Sequence, residues 1–81
     1  MNLKIVLNEA YKQALMIEDD NFDISSLLLS EGEIEIDSLG SFEFAEVVFE
    51  KIGTRIEDNE MHLIKYPAKI FELCSDKRNK L

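Results

Sequence analysis

The side chains able to do covalent or metal chemistry in this chain are few: one His (His62), one Cys (Cys74), and scattered serines and carboxylates among 81 residues. A zinc site of ordinary ligand count is out of reach, and with a single Cys so is a disulfide framework. The run Asp19-Asp20-Asn21-Phe22-Asp23 has the alternating oxygens of a calcium loop. An EF-hand starting at Asp19 needs Gly at its sixth position and Glu at its twelfth, where this chain has Ile24 and Ser30. That acidity is read as structural. His62 has no second His or paired Cys nearby and reads as a surface histidine. Cys74 falls on the apolar face of a helix, where a free Cys behaves as a small hydrophobe.

What remains is Asp37-Ser38-Leu39, a hydroxyl following a carboxylate at the head of a helical segment. Its plainest reading is an N-cap, with Asp37 or Ser38 accepting the first helical amide hydrogens and Glu43 adding negative charge near the positive end of the helix dipole. A cap accounts for Asp and Ser but not for the residues after them. Leu39 and Phe42 come next, then Glu43, Glu46 and Glu50, spaced three and four apart along one helical flank. Such a flank offers a basic partner protein a docking stripe. If Ser38 is only a cap on an acidic interaction module, Ser38→Ala should lower stability by about 1 kcal/mol. A hydrolase using Ser38 with His62 as its base is a poor reading, because a triad demands geometry that composition does not supply.

The elements that must position this corner can be read from hydrophobic spacing. Leu3, Val6, Leu7, Ala10, Ala14 and Ile17 recur at three and four and predict a helix from about residue 2 to 17. From Glu18 to Glu35 the pattern breaks at Asp19-Asp20-Asn21 and Ser30-Glu31-Gly32, which predicts a long loop pinned to the core by Leu27, Leu28 and Leu29. A loop of that length is more often functional than idle. A second helix is expected from Asp37 to Ile52, closed by Gly53. Its apolar residues, Leu39, Phe42, Phe44, Ala45, Val47, Val48, Phe49 and Ile52, are too many for one stripe, so some are buried on a second side or face a ligand or partner. A short helix is expected from Asp58 through Ile64, and a last one from Pro67 to about Cys74, before a basic, frayed tail from Ser75 to Leu81. Glu33-Ile34-Glu35-Ile36 alternates for too few residues to make a strand. The expected fold is an all-α, small four-helix bundle in a single domain over 1–75, with 76–81 as the tail.

Size and charge limit the function classes. A chain this short buries only about 60 to 65% of its unfolded surface, enough for one core. No apolar run approaches the roughly 20 residues of a membrane span. Asn8-Glu9 interrupts the apolar N-terminus with no cleavage pattern after it, so the protein is expected to be cytoplasmic, and a monomer. The net charge is −8 and unevenly placed: residues 18–60 hold fourteen acids against Lys51 and Arg55, net −12, between ends of +1 and +3. Nucleic acid is therefore not an expected partner.

Asp37-Ser38-Leu39, followed by Phe42-Glu43-Phe44 and Glu50, with Gly53 and then Ile56-Glu57-Asp58, resembles the acyl carrier protein signature. The resemblance spans essentially the whole chain, including its acidity and its long first loop. It implies that Ser38 carries phosphopantetheine through a phosphodiester, and that the arm's thiol carries acyl groups as thioesters to partner enzymes of fatty-acid or specialised biosynthesis. The chain would then be no enzyme itself. Asp37 is implied to help a phosphopantetheinyl transferase that uses coenzyme A and magnesium. Leu39 and Phe42 would contact the arm or a partner, and Glu43, Glu46 and Glu50 would pair with basic patches on the transferase and on acyl ligases or synthases.

Four departures from the family pattern stand out. The glycine usual two residues before the aspartate is absent from Glu35-Ile36-Asp37. Glu46 replaces an apolar residue, Phe49 stands where an acid is usual, and Tyr66-Pro67 replaces a small hydroxyl and Val. They point to a specialised carrier, with an aminoacyl or peptidyl carrier as the alternative. Cargo choice is expected to depend on a pocket among Phe42, Phe44, Phe49, Ile64 and Phe71.

Overall fold

Asn2 starts the first helix, α1 (Leu3–Ala14), by accepting the Lys4 amide hydrogen on its side-chain oxygen at 2.8 Å. The computed structural model describes residues 2–28 and 32–79, which form an all-α four-helix bundle. After α1 come α2 (Ser25–Leu28), α3 (Ser38–Ile52) and α4 (Pro67–Asn79), with a 3-10 helix over Asp58–Lys65 between the last two. Among the described residues there is no strand, and no helix is long and apolar enough to cross a membrane. Leu29, Ser30, Glu31, Lys80 and Leu81, on which parts of the expected loop and tail fall, lie outside the described residues, as does the Leu27 side chain.

The first helix ends three residues before the periodicity suggested. Met16 adopts the left-handed conformation (φ 57°), its amide bonds to the Gln13 carbonyl at 3.2 Å, and the Ile17 amide reaches back to the Lys12 carbonyl at 2.9 Å. This is a Schellman closure with Met in the position glycine usually takes. Ile17 keeps the apolar rhythm because the residue after such a closure folds back onto the helix end, so spacing alone overruns the stop.

The expected structureless loop also contains one helical turn. Asp23 accepts the Ser25 amide hydrogen at 2.8 Å, hydrogen bonding from the Ser25 side chain and then from its amide holds the Asp23 carboxyl below its ordinary pKa, and Ile24 and Leu28 are buried one turn apart. Asn8 pins this segment from α1: its amide group donates to the Phe22 carbonyl at 3.1 Å and accepts the Ile24 amide hydrogen at 2.8 Å. Further on, Ile34 and Ile36 turn inward between exposed Glu33 and Glu35, and the Ile34 amide bonds to the Lys65 carbonyl at 2.8 Å. The alternation is therefore that of a single extended strap.

The core joins α1 to α3 through Leu7, Ala10, Tyr11, Phe44 and Val48, and is closed by Ile64, Ile70 and Cys74. Tyr11 and Phe44 stack with ring centroids 4.3 Å apart. Burial pushes the Cys74 thiol up to about 11, so it packs as an uncharged group.

The C-terminal expectation needs the largest correction. The last helix continues past Cys74 through Asn79, because Lys77 is anchored rather than free. Its ammonium donates to the Arg55 carbonyl at 2.7 Å and to Glu60 at 2.6 Å. Glu60 in turn accepts the Glu57 amide hydrogen at 2.8 Å, which starts the 3-10 helix. The Lys77 hydrogen bond holds the Glu60 carboxyl below its ordinary value near 4.5. A lowered folded-state pKa adds stability that is present above the unfolded value and lost as pH falls through the folded one. Lys77→Met should therefore cost about 1 to 2 kcal/mol at pH 7 in urea unfolding. The gap between wild type and variant should narrow as pH falls below 4.5 and Glu60 takes up its proton, leaving the share of the Arg55 carbonyl bond. A gap independent of pH would refute the pairing as its source.

Candidate functional site

Asp37 is the residue that caps α3. Its carboxylate accepts the Gly40 amide hydrogen at 2.7 Å, and its carbonyl accepts the Ser41 amide at 2.9 Å. Ser38 is the first helical residue and is exposed, and its hydroxyl makes no hydrogen bond among the described residues. The cap and the free hydroxyl are thus two different residues. Asp37→Ala should accordingly cost about 1 kcal/mol, while Ser38→Ala should stay within about 0.5 kcal/mol of wild type. Urea denaturation of both variants checks this. Equal losses would return a capping role to Ser38.

The corner is held by close packing at Gly40. A Cβ there would lie 2.9 Å from Ile36 Cγ1 and 3.3 Å from the Ala14 carbonyl oxygen, so a side chain would force the strap or the end of α1 to move. Ile36, next to the departure at Glu35, is in this way fitted to a glycine placed after it.

Ser38 stands at the edge of an open groove of about 500 Å³ between α3 and the 3-10 helix. Ile36, Phe42 and Met61 form its apolar surfaces, and Asp37, Ser38, Ser41, Asp58, His62 and Lys65 its polar ones. The expected pocket among Phe42, Phe44, Phe49, Ile64 and Phe71 is not this one. Phe44 and Ile64 are fully buried in the core, Phe71 packs against it, and Phe49 is on the outer face of α3, leaving Phe42 alone to line the groove. Nothing local marks Met61 and Lys65 as groove residues, whereas for Ile36 the alternation with Ile34 was an available signal. His62 and Ser38 share the groove, but no hydrogen bond joins them, as a base and its nucleophile require. Among the described residues no three His, Cys, Asp or Glu side chains converge to hold a metal ion.

The acidic flank forms as the spacing predicts. Glu43, Glu46 and Glu50 are exposed and line one cleft of about 320 Å³ with Gln13, Leu39, Phe42 and Val47. Leu39 is 80% exposed and Phe42 61%, so the apolar surplus of this helix is partly resolved as surface. The three acids make no ion pair among the described residues, whereas Asp20, Glu33, Glu57 and Glu60 each do.

Comparison of the chain with models of known families, with curated proteins and with solved structures returns no match.

Proposed function

We propose that this chain is a carrier protein, with Ser38 as the attachment point of a phosphopantetheine arm. The observation that carries the reading is an exposed serine hydroxyl, without a hydrogen bond among the described residues, at the head of the 15-residue helix α3 and lining a groove of about 500 Å³. The residues present suit the group. A helix N-terminus favours a phosphodiester, and Ile36, Phe42 and Met61 offer apolar surface to a tethered chain. When attached, the arm supplies the thiol on which acyl groups travel as thioesters. Asp37 holds the helix head in shape while the serine is approached, and Leu39 presents an apolar side chain beside it. Glu43, Glu46 and Glu50 steer basic partners, a phosphopantetheinyl transferase and the acyl ligases, synthases and transferases that load and use the cargo. The protein works as a cytoplasmic monomer that makes and breaks no bonds itself.

Incubation with coenzyme A, magnesium and a broad-specificity phosphopantetheinyl transferase should raise the intact mass by one arm, and Ser38→Ala should abolish the change. An unmodified mass beside a labelled control carrier would overturn the reading. Loading of the labelled protein by fatty-acyl and by amino-acid ligases then separates an acyl from an aminoacyl carrier.

An acidic interaction module without an arm is the second reading, favoured by three glutamates that make no ion pair among the described residues. Its mark is partner binding untouched by Ser38→Ala and lost on charge reversal at Glu43 or Glu46.

A further inference from the structure

The groove beside Ser38 has a basic edge with no role so far. A 3-10 helix has three residues per turn, so side chains three apart eclipse one another. Over Asp58–Lys65 this sets His62 and Lys65 in one row and Asp58 and Met61 in another, about 120° round the helix. All four line the groove, as do Ser38 and Ser41 of α3. His62 is exposed and makes no hydrogen bond or ion pair among the described residues. Lys65 is held loosely. Its ammonium is 3.7 Å from Glu33, both side chains being about half exposed, and 5.3 Å from the centre of the Tyr66 ring. An exposed pair of this kind contributes little.

We infer that His62 and Lys65 bind the phosphodiester of an arm attached to Ser38, His62 through a ring N–H and Lys65 through its ammonium, and so fix the root of the arm in the groove. This rests on Ser38 carrying the arm as proposed above. Attachment, rather than charge alone, selects the occupant, because a phosphodiester on the Ser38 Oγ starts at the groove wall, and His62 and Lys65 are the bases that line the same groove. The two carboxylates there do not contest the place. Asp37 is turned to the Gly40 amide at 2.7 Å, and Asp58 belongs to the other row of the 3-10 helix.

The test uses the full chain loaded with coenzyme A and a transferase, its single addition verified by intact mass, and reads the phosphodiester by 31P NMR. A phosphodiester does not itself titrate between about pH 5 and 8, and of the groups lining the groove only an imidazole ordinarily changes charge there. The 31P resonance should therefore shift with pH across that window in wild type and stay flat in His62→Gln. Lys65→Gln should keep the step and displace its end points, with both folds checked by circular dichroism. Inorganic phosphate at about 0.1 mM should leave the His62 ring signals of the apo chain in place, because it falls short of the millimolar effective concentration that a short tether supplies. A flat resonance in the loaded wild type, or a step that survives His62→Gln, would overturn the inference. Unmoved end points in Lys65→Gln would overturn the part given to Lys65. Phosphate that moves the ring signals would make the row a site for a free anion and overturn the assignment to the arm. A chain that takes no arm overturns the carrier reading and this inference with it, a result distinct from a loaded chain with a flat resonance.

Discussion

Phe44→Ala should remove most of the chain's stability and bring it to the edge of unfolding at room temperature. Phe44 is fully buried, stacks on Tyr11, and sits in the middle of α3, where that helix meets α1. Removing a ring from such a site costs about 3 to 5 kcal/mol, the lost transfer energy plus the cavity left behind. A domain of this size commands only about 5 kcal/mol in total. Urea titration followed by circular dichroism should show the variant with a native baseline shortened or lost, while Phe44→Leu keeps a full one and loses under about 2 kcal/mol. A loss below about 1 kcal/mol for Phe44→Ala would mean that the core closes over the gap. The stack would then not be what joins α1 to α3.

Tyr11→Phe has the second largest expected effect, and its consequence reaches the groove. The Tyr11 hydroxyl, fully buried on α1, donates to the Ile64 carbonyl fifty-three residues away. Burial raises its pKa, so it remains a donor throughout the working pH range. Without it the Ile64 carbonyl is left in the core with no partner, at a cost of about 1 to 3 kcal/mol. Ile64 lies in the last turn of the 3-10 helix whose Met61, His62 and Lys65 line the groove. Hydrogen exchange should therefore quicken over residues 58–65 before it does in α1 or α3. Uniform acceleration across the chain would place the bond among general core contacts instead. Arm attachment at Ser38 should survive this substitution, because the serine and its cap belong to α3 and make no bond to the 3-10 helix.

The structure reassigns several side chains whose types suggested other roles. Asp23, part of the run with calcium-like spacing, starts α2, and Asp19 accepts the Asn21 amide hydrogen at 2.9 Å as a turn residue. Phe49, placed among possible cargo contacts by its type, faces solvent because seven-residue spacing sets it on the same side of α3 as Phe42. Lys77, expected in a frayed tail, ties the end of α4 to the 3-10 helix. The two aspartates act within two residues, whereas Phe49 depends on which side of α3 the core lies and Lys77 on contacts with residues distant in the chain.

The local signals were strong at helix ends and weak everywhere that distant residues meet. Asp37 before an apolar run and Gly53 after it, with φ 71°, bounded α3 closely, because caps and left-handed glycines act within a few residues. Apolar spacing likewise placed α1 and the buried positions Leu3, Val6, Leu7 and Ala10. The four-helix class, the acidic flank and the position of Ser38 at a helix head were all legible in this way. The division of labour between Asp37 and Ser38, the groove beside the serine and the anchored end of α4 were not. The first rests on which of two adjacent side chains the Gly40 amide meets, and the others on hydrogen bonds from Tyr11 to Ile64 and from Lys77 to Arg55 and Glu60, and on the close approach of Ile36 to Gly40. Side-chain periodicity reports which face of a helix avoids water. Which partner that face meets, and what cleft is left between them, is decided by packing in three dimensions.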